Sequence, residues 1–210
     1  MFTVSCVLKS GGVYNAEWVA KLQRGVSRHL SVPYRFVCLS DVDVPCERIK
    51  LKHNWPGWWS KIELFSDDID ISPHLYLDLD TVITGNLEAF TDLPYDFAML
   101  RNFTYPDMVG SGVMWFREVP HQVYTKFLKM PECYMAHHER MVDAETSYIG
   151  DQAFIWDALN RKVDALDNLP IKSYRYHCRY RLLPDTSLVC FHGSPRPPEV
   201  KADWMKEHWA

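Results

Sequence analysis

The sequence has no apolar run approaching the ~20 residues that a membrane-spanning helix needs. It also has no excess of basic residues. Its 23 Lys and Arg stand against 27 Asp and Glu, a net charge of −4, so the electrostatic footprint of a general nucleic-acid binder is missing. The six cysteines (Cys6, Cys38, Cys46, Cys133, Cys178 and Cys190) form no C-x-x-C pair, which argues against a zinc ribbon or a thioredoxin-type site. Cys6, Cys38 and Cys190 lie in apolar runs, where a reduced thiol serves as a small hydrophobe, and the expected setting is reducing and cytoplasmic. The start, Met1 to Leu8, lacks a basic region and a long apolar stretch, so it reads as a first strand and not as a signal peptide. No internal repeat, low-complexity tract or linker interrupts the chain. What remains is ordinary globular composition, 47% hydrophobic and 24% charged over 210 residues. That predicts one domain, residues 1–210, with a sizeable core.

Thr3 to Leu8 is a β-branched strand pattern, stopped by Ser10-Gly11-Gly12. Asn15 then caps a helix in which Trp18, Val19, Leu22, Val26 and Leu30 recur at helical spacing. Tyr34 to Leu39 is a second strand, ended by Ser40-Asp41. Strand, helix and strand with short connections open an α/β sheet. Arg48 to Leu51 predicts a short third strand. Trp55-Pro56-Gly57 marks a turn before a helix over Trp58 to Phe65, with Trp58, Ile62 and Phe65 on one face and Trp58 in the core. His74 to Leu79, Asp96 to Leu100 and Gly112 to Phe116 read as strands. Val119 to Met130 and Asp151 to Leu159 read as helices. Ser173 to Tyr176 and Leu188 to Phe191 are late strand candidates. Pro195-Arg196-Pro197-Pro198 excludes a helix interior or a central strand. His137 and His138 read as surface residues.

The sharpest chemical feature is Leu75-Tyr76-Leu77-Asp78-Leu79-Asp80. An apolar strand delivers two carboxylates to its C-terminal end, where open α/β sheets bind ligands. Paired hard oxygens suit Mg²⁺ or Mn²⁺, provided the chain bends so that both reach one ion. A solvated turn after a buried strand is the bland alternative.

Context favours the first reading. Asp78-Leu79-Asp80-Thr81-Val82-Ile83-Thr84-Gly85-Asn86-Leu87 resembles the D-x-D segment of GT-A glycosyltransferases, in particular the retaining family 8-like group. Trp59-Ser60-Lys61-Ile62-Glu63-Leu64-Phe65 resembles that group's W-x-K-x-E-x-F segment. Ser111-Gly112-Val113-Met114 resembles its small-G-V-M strand, and Gly150-Asp151-Gln152 its D-Q helix start. Phe191-His192-Gly193-Ser194-Pro195-Arg196-Pro197 resembles its C-terminal H-G-x-x-K-P element. The five segments stand in family order. The chain departs from the pattern at Cys190, where a His usually stands three before the Gly, at Gly110 in place of an Asn, and at Ala153 in place of a carboxylate. Donor-sugar identity is therefore not carried over.

The resemblance implies an α/β fold: a single GT-A-like, Rossmann-like domain with a mixed central sheet flanked by helices. Residues 1–80 would form the nucleotide-binding half, ending in the D-x-D, and residues 81–210 the donor-sugar and acceptor half. It implies a metal-dependent transferase moving a sugar with retention from a UDP-sugar to a saccharide or other hydroxyl acceptor. Asp78, Asp80 and His192 would hold the ion, which stabilises the leaving diphosphate as a Lewis acid. An imidazole ligand favours Mn²⁺ over Mg²⁺. Lys61 and Arg196 would meet the phosphates. Lys9 and Ser10 lie in the loop after the first strand, where the family places the base; Tyr14 would stack on uracil and Asp41 would accept from its N3–H. Ser111 and Asp151 would lie against the donor sugar, with Gln152 near the anomeric carbon, where oxygen dipoles help an oxocarbenium-like transition state. Trp55, Trp58, Trp59 and Trp115 stand around these motifs: exposed, they would stack acceptor sugars; buried, they are core, the reading given to Trp58 by its helical face.

Two rivals remain at this point. A haloacid-dehalogenase-like phosphatase also opens on an apolar strand and D-x-D, with Asp78 as nucleophile and Asp80 as acid/base. That motif usually opens its fold, whereas two βα units precede it here, and Ile155 stands where a second late carboxylate is wanted. The other rival is a non-catalytic nucleotide-sugar-binding protein.

Overall fold

The computed structural model describes residues 1–140 and 150–210. The chain runs β1 (Phe2–Leu8), α1 (Ala16–His29), β2 (Tyr34–Ser40), β3 (Glu47–Lys50), a 3₁₀ segment (Gly57–Phe65), β4 (His74–Leu77) and β5 (Thr81–Ile83). It continues through β6 (Phe97–Arg101), β7 (Val109–Phe116), α2 (Gln122–Phe127), α3 (Pro131–Arg140), α4 (Asp151–Ala158), β8 (Asp164–Ala165), β9 (Ile171–Ser173), β10 (Leu188–Cys190) and α5 (Asp203–His208). Among the described residues no helix is long and apolar enough to cross a membrane, and all six cysteines are free thiols.

Seven strands form one mixed sheet in the order β3-β2-β1-β4-β7-β6-β8. β3, β2, β1 and β4 are mutually parallel, β7 is antiparallel to β4 and β6, and β8 pairs parallel with β6. A small sheet, β5-β10-β9, stands beside it. The expected mixed sheet flanked by helices is the observed architecture.

Both faces of the main sheet are covered, which is why its strands read as near-continuous apolar runs. On one face Val4, Cys6 and Leu8 of β1 and Leu75 and Leu77 of β4 pack with Trp18, Val19, Leu22 and Val26 of α1. On the other, Val7, Val37, Tyr76 and Met114 pack with Trp59, Ile62, Phe65 and Phe154. Each such side chain contributes about 1.5–3 kcal/mol by leaving water. Asn15 caps α1 as expected, its side chain accepting the Glu17 amide at 3.0 Å; truncating such a cap costs about 1 kcal/mol.

The segment 57–65 is a 3₁₀ helix, not an α-helix. All seven residues from Trp59 to Phe65 are buried. Trp58 is turned out instead, 47% exposed, which overturns its placement in the core. The strand expected over Ser173 to Tyr176 ends at Ser173 and passes into a π-helical turn, Tyr174–Cys178. The helix expected over Val119 to Met130 narrows to α2, its approach held by Pro120. His137 is exposed as expected, but His138 is buried, with Nε2 3.5 Å from Asp157.

Candidate active site

β1 and β4 are parallel neighbours, yet the chain leaves β1 towards β2 and β3 before returning to β4 on β1's other side. This is a topological switch point, and ligands bind outside the carboxyl ends of the strands there. β1 runs into the loop from Lys9 to Tyr14, and β4 runs into Asp78. A cavity of about 1040 Å³ opens at that place. Ten of the twelve candidate residues line it: Lys9, Ser10, Tyr14, Lys61, Asp78, Ser111, Asp151, Gln152, His192 and Arg196. Asp41 and Asp80 do not.

The D-x-D lies on a tight turn. Thr81 donates its amide to the Asp78 carbonyl at 3.0 Å, and Asp78 donates its own to Gly112 of β7 at 2.9 Å. The bend gives the two carboxylates separate surroundings. Asp78 lines the cavity, and its Oδ1 accepts the Tyr76 hydroxyl at 2.6 Å and the Lys61 ammonium at 3.3 Å. Asp80 is only 6% exposed. Its Oδ2 accepts the Tyr14 hydroxyl at 2.7 Å and Arg196 Nη1 at 3.2 Å. Burial, and then the charge of Asp78, push the Asp80 carboxyl up to about 6, although Tyr14 and Arg196 pull it back.

Lys61 is the hub of the floor. Its ammonium is buried and lies 2.8 Å from Asp151 Oδ2, 2.8 Å from Ser111 Oγ and 3.3 Å from Asp78. It thereby ties the 3₁₀ segment to β7, to the D-x-D turn and to the start of α4. Burial would lower its pKa, but Asp151 and Asp78 outweigh that and hold the ammonium above the ordinary lysine range. Burial raises the Asp151 carboxyl, against the pull of Lys61 and Ser111. Lys61 was expected to meet a phosphate; its donors are instead committed to protein carboxylates and a hydroxyl.

Tyr14 is likewise engaged. Its hydroxyl donates to Asp80 and accepts from Arg196, whose guanidinium lies 5.0 Å from the ring centroid. Trp18 meets the ring edge-on at 4.9 Å. Asp41 holds the mouth of the first loop, accepting Ser10 N–H at 2.9 Å, Ser10 Oγ at 2.7 Å and the Lys9 ammonium. Burial works against these contacts, yet they keep its carboxyl at about 2. Gln152 lies one residue into α4, and a Cβ placed on Gly110 would stand 3.6 Å from its Oε1.

His192 does not join the two carboxylates. Its Nε2 lies 2.7 Å from Ser173 Oγ, and its ring stacks on Phe103 with centroids 5.8 Å apart. Ser173 Oγ also accepts the Tyr176 amide at 3.2 Å, so the hydroxyl ties the His192 ring to the turn after β9. Burial and then Arg175 and His177 lower its pKa. Among the described residues no group of three His, Cys, Asp or Glu side chains converges on one point as a metal site. Asp78 and Asp80 are the residues here whose hard oxygens would suit a divalent ion, and two carboxylates alone do not favour Mn²⁺ over Mg²⁺.

Tyr76, Ser173 and Phe103 were not singled out from sequence. Tyr76 was legible in principle, since it stands two before Asp78 and therefore on the same strand face. Ser173 and Phe103 come to His192 only through the tertiary fold.

No family model and no curated relative matches the sequence. Solved structures do match its fold. The glycosyltransferase GlyE of Streptococcus pneumoniae TIGR4, in its apo form, is similar over 93% of this chain with a TM-score of 0.62 and 14% identity. The chain spans 55% of that protein's length. The galactosyltransferase LgtC, in complex with donor and acceptor sugar analogs, is similar over 93% of this chain and 88% of its own, with a TM-score of 0.63 and 11% identity. The bifunctional glycosyltransferase WbbM is similar over 92% of this chain and 46% of its own, with a TM-score of 0.59 and 13% identity. The mixed seven-stranded sheet and its flanking helices are the fold of GT-A glycosyltransferases.

Proposed function

We propose that this protein is a retaining glycosyltransferase that takes a UDP-sugar as donor, with Mg²⁺ or Mn²⁺, and acts in the cytoplasm. The observation that carries the reading is the convergence of Lys9, Arg196, Asp78 and the Lys61–Asp151 pair on one cavity at the β1/β4 switch point. A phosphatase of the haloacid-dehalogenase kind carries its D-x-D on the first strand of the fold, whereas β1, α1, β2 and β3 precede the D-x-D strand here.

Asp78 and Asp80 would hold the ion, which would neutralise charge on the departing diphosphate. Arg196, one-third exposed at the cavity wall, offers its planar fork to the phosphates. Lys61 sets the position and ionisation of Asp78 and Asp151 from below. Asp151 orients hydroxyls of the donor sugar, and Gln152 presents its amide oxygen to the positive charge that develops at the anomeric carbon. No second carboxylate stands in this assignment as a nucleophile, so attack by the acceptor comes from the face the diphosphate leaves. Asp41, with Lys9 and Ser10, meets the base.

A panel of nucleotide sugars, assayed for donor hydrolysis with and without Mg²⁺ or Mn²⁺, tests this without a known acceptor. The expected result is slow, metal-dependent release of UDP from one donor. Failure of every UDP-sugar to bind or turn over, beside phosphoester hydrolysis through a covalent intermediate on Asp78, would replace the reading with the phosphatase.

A further inference from the structure

The donor assignment leaves one conspicuous part of the cavity wall unused. Four tryptophans stand in or beside the motifs that build the site, and three are structural. Trp55 is buried and stacked on His53, Trp59 is buried with its indole N–H on Glu139, and Trp115 is buried with its N–H on the Tyr95 carbonyl. Trp58 differs in each respect. It is 47% exposed and lines the cavity. No hydrogen bond, ion pair or ring contact engages its indole among the described residues.

The indole is nevertheless fixed. Gly57 before it has φ +52, a left-handed conformation that sets the exit from the Pro56 turn and throws Trp58 outward. Its ring rests on Gly150: a Cβ there would come within 2.9 Å of Nε1 and 3.1 Å of Cε2, and Gly150 itself has φ +78. Residue 150 immediately precedes Asp151 and Gln152. An amphipathic ring whose N–H no described residue engages is thus held one residue from the groups assigned to the donor sugar.

We infer that Trp58 is the platform of the acceptor site and that the acceptor is a saccharide. A pyranose presents a face of C–H groups to an aromatic ring and a rim of hydroxyls to donors. Trp58 supplies both a large apolar surface and an N–H. Asn54 and Tyr105 line the same cavity and supply polar and aromatic contacts nearby. A non-saccharide acceptor such as a simple alcohol or a serine side chain would leave this surface unused. The inference rests on the glycosyltransferase reading for the word acceptor, but not for the binding itself.

The test uses the full chain and three disaccharide probes, lactose, cellobiose and maltose, by saturation-transfer NMR, beside UDP titrations of the same samples. Wild type is expected to give transfer to sugar C–H protons from at least one probe. Trp58→Ala should lower that signal roughly three- to tenfold, while Trp58→Phe keeps most of it, because stacking and not bulk carries the contact. Both variants change an exposed side chain and should fold. Absence of signal from all three probes, or an unchanged signal in Trp58→Ala, overturns the inference even where UDP binds normally. A chain that binds a disaccharide through Trp58 but no nucleotide would overturn the glycosyltransferase reading and leave the saccharide site standing.

Discussion

Arg196 reaches Asp80 across 116 residues of chain, with Nη1 3.2 Å from Oδ2, and the Tyr14 hydroxyl shares the same oxygen at 2.7 Å. The Pro-rich C-terminal segment is thereby pinned to the D-x-D turn, and a cation already sits on the more deeply buried carboxylate. If Asp80 holds an ion as proposed, that partnership would loosen and the Arg196 guanidinium would be released towards the phosphates.

Arg196→Met should therefore weaken UDP binding in the presence of Mg²⁺ by about 1.5–3 kcal/mol, the range for a lost hydrogen bond to a charged group. Arg196→Lys should recover only part, since a point charge cannot replace the bidentate fork. Isothermal titration with UDP reads both. Wild-type affinity in a folded Arg196→Met variant would leave Arg196 a structural partner of Asp80 alone.

Lys61 predicts a different pattern because it is buried among acids. Lys61→Met strands Asp151 and Asp78 without their cation and should cost about 3–5 kcal/mol of stability, as breaking a buried pair does. Adding Asp151→Asn should recover part of that loss by removing the uncompensated charge. Urea midpoints of the single and double variants measure it. A Lys61→Met variant as stable as wild type would show the ammonium to be dispensable to the floor.

These two cations mark where sequence reading worked and where it stopped. Most strands of the main sheet, α1 and the D-x-D bend were legible because apolar periodicity and turn residues are local, but the short β5 and β8 were not, since two or three residues carry no period. Even the position of the site followed from the order of elements, since a returning β4 creates the switch point. Lys61 and Arg196 were both read as phosphate ligands; a sequence shows a charge but not its burial, and Lys61 is buried among carboxylates whereas Arg196 stays one-third exposed at the cavity wall. Trp58 was placed inside on an α-helical period of 3.6, but burial in this segment begins only at Trp59, after the left-handed Gly57. His192 was taken as a ligand from its neighbours in sequence, but Ser173 holds it, and only the parallel pairing of β9 with β10 sets those two segments side by side.

Tyr14 and Asp41 separate two parts of nucleotide recognition. Tyr14→Phe removes the hydroxyl that bridges Arg196 and Asp80, so it should weaken metal-dependent binding of UDP and of other nucleoside diphosphates alike. Asp41→Asn should instead erode the preference for UDP over CDP, by about 1 kcal/mol if one base hydrogen bond is lost. Competition titrations with UDP, CDP and GDP distinguish the two. A uniform loss in Asp41→Asn would move that carboxylate from base recognition to holding the Lys9–Ser10 loop.

His74 supplies a prediction about acid stability that is independent of the site. It is fully buried in β4, stacked on Phe116 at 4.1 Å with rings 10° from parallel. Neither ring nitrogen has a hydrogen-bond partner among the described residues. Burial lowers its pKa from the ordinary histidine value to about 3. Unfolded, the same side chain takes up its proton near pH 6.5. Between these values the unfolded chain binds more protons than the folded one, so stability falls as the pH drops. The slope from this one residue is about 1.4 kcal/mol per pH unit, absent above pH 6.5 and present down to about pH 3. His74→Leu and His74→Phe remove the titration. Each variant carries its own packing cost, but that cost does not depend on pH. The measurement is therefore the difference in unfolding free energy between wild type and variant at pH 7.5, 6, 5 and 4.5. That difference should move in the variant's favour by about 2 kcal/mol or more across the series, and a difference that stays constant would show that His74 finds a proton-accepting partner in the folded protein.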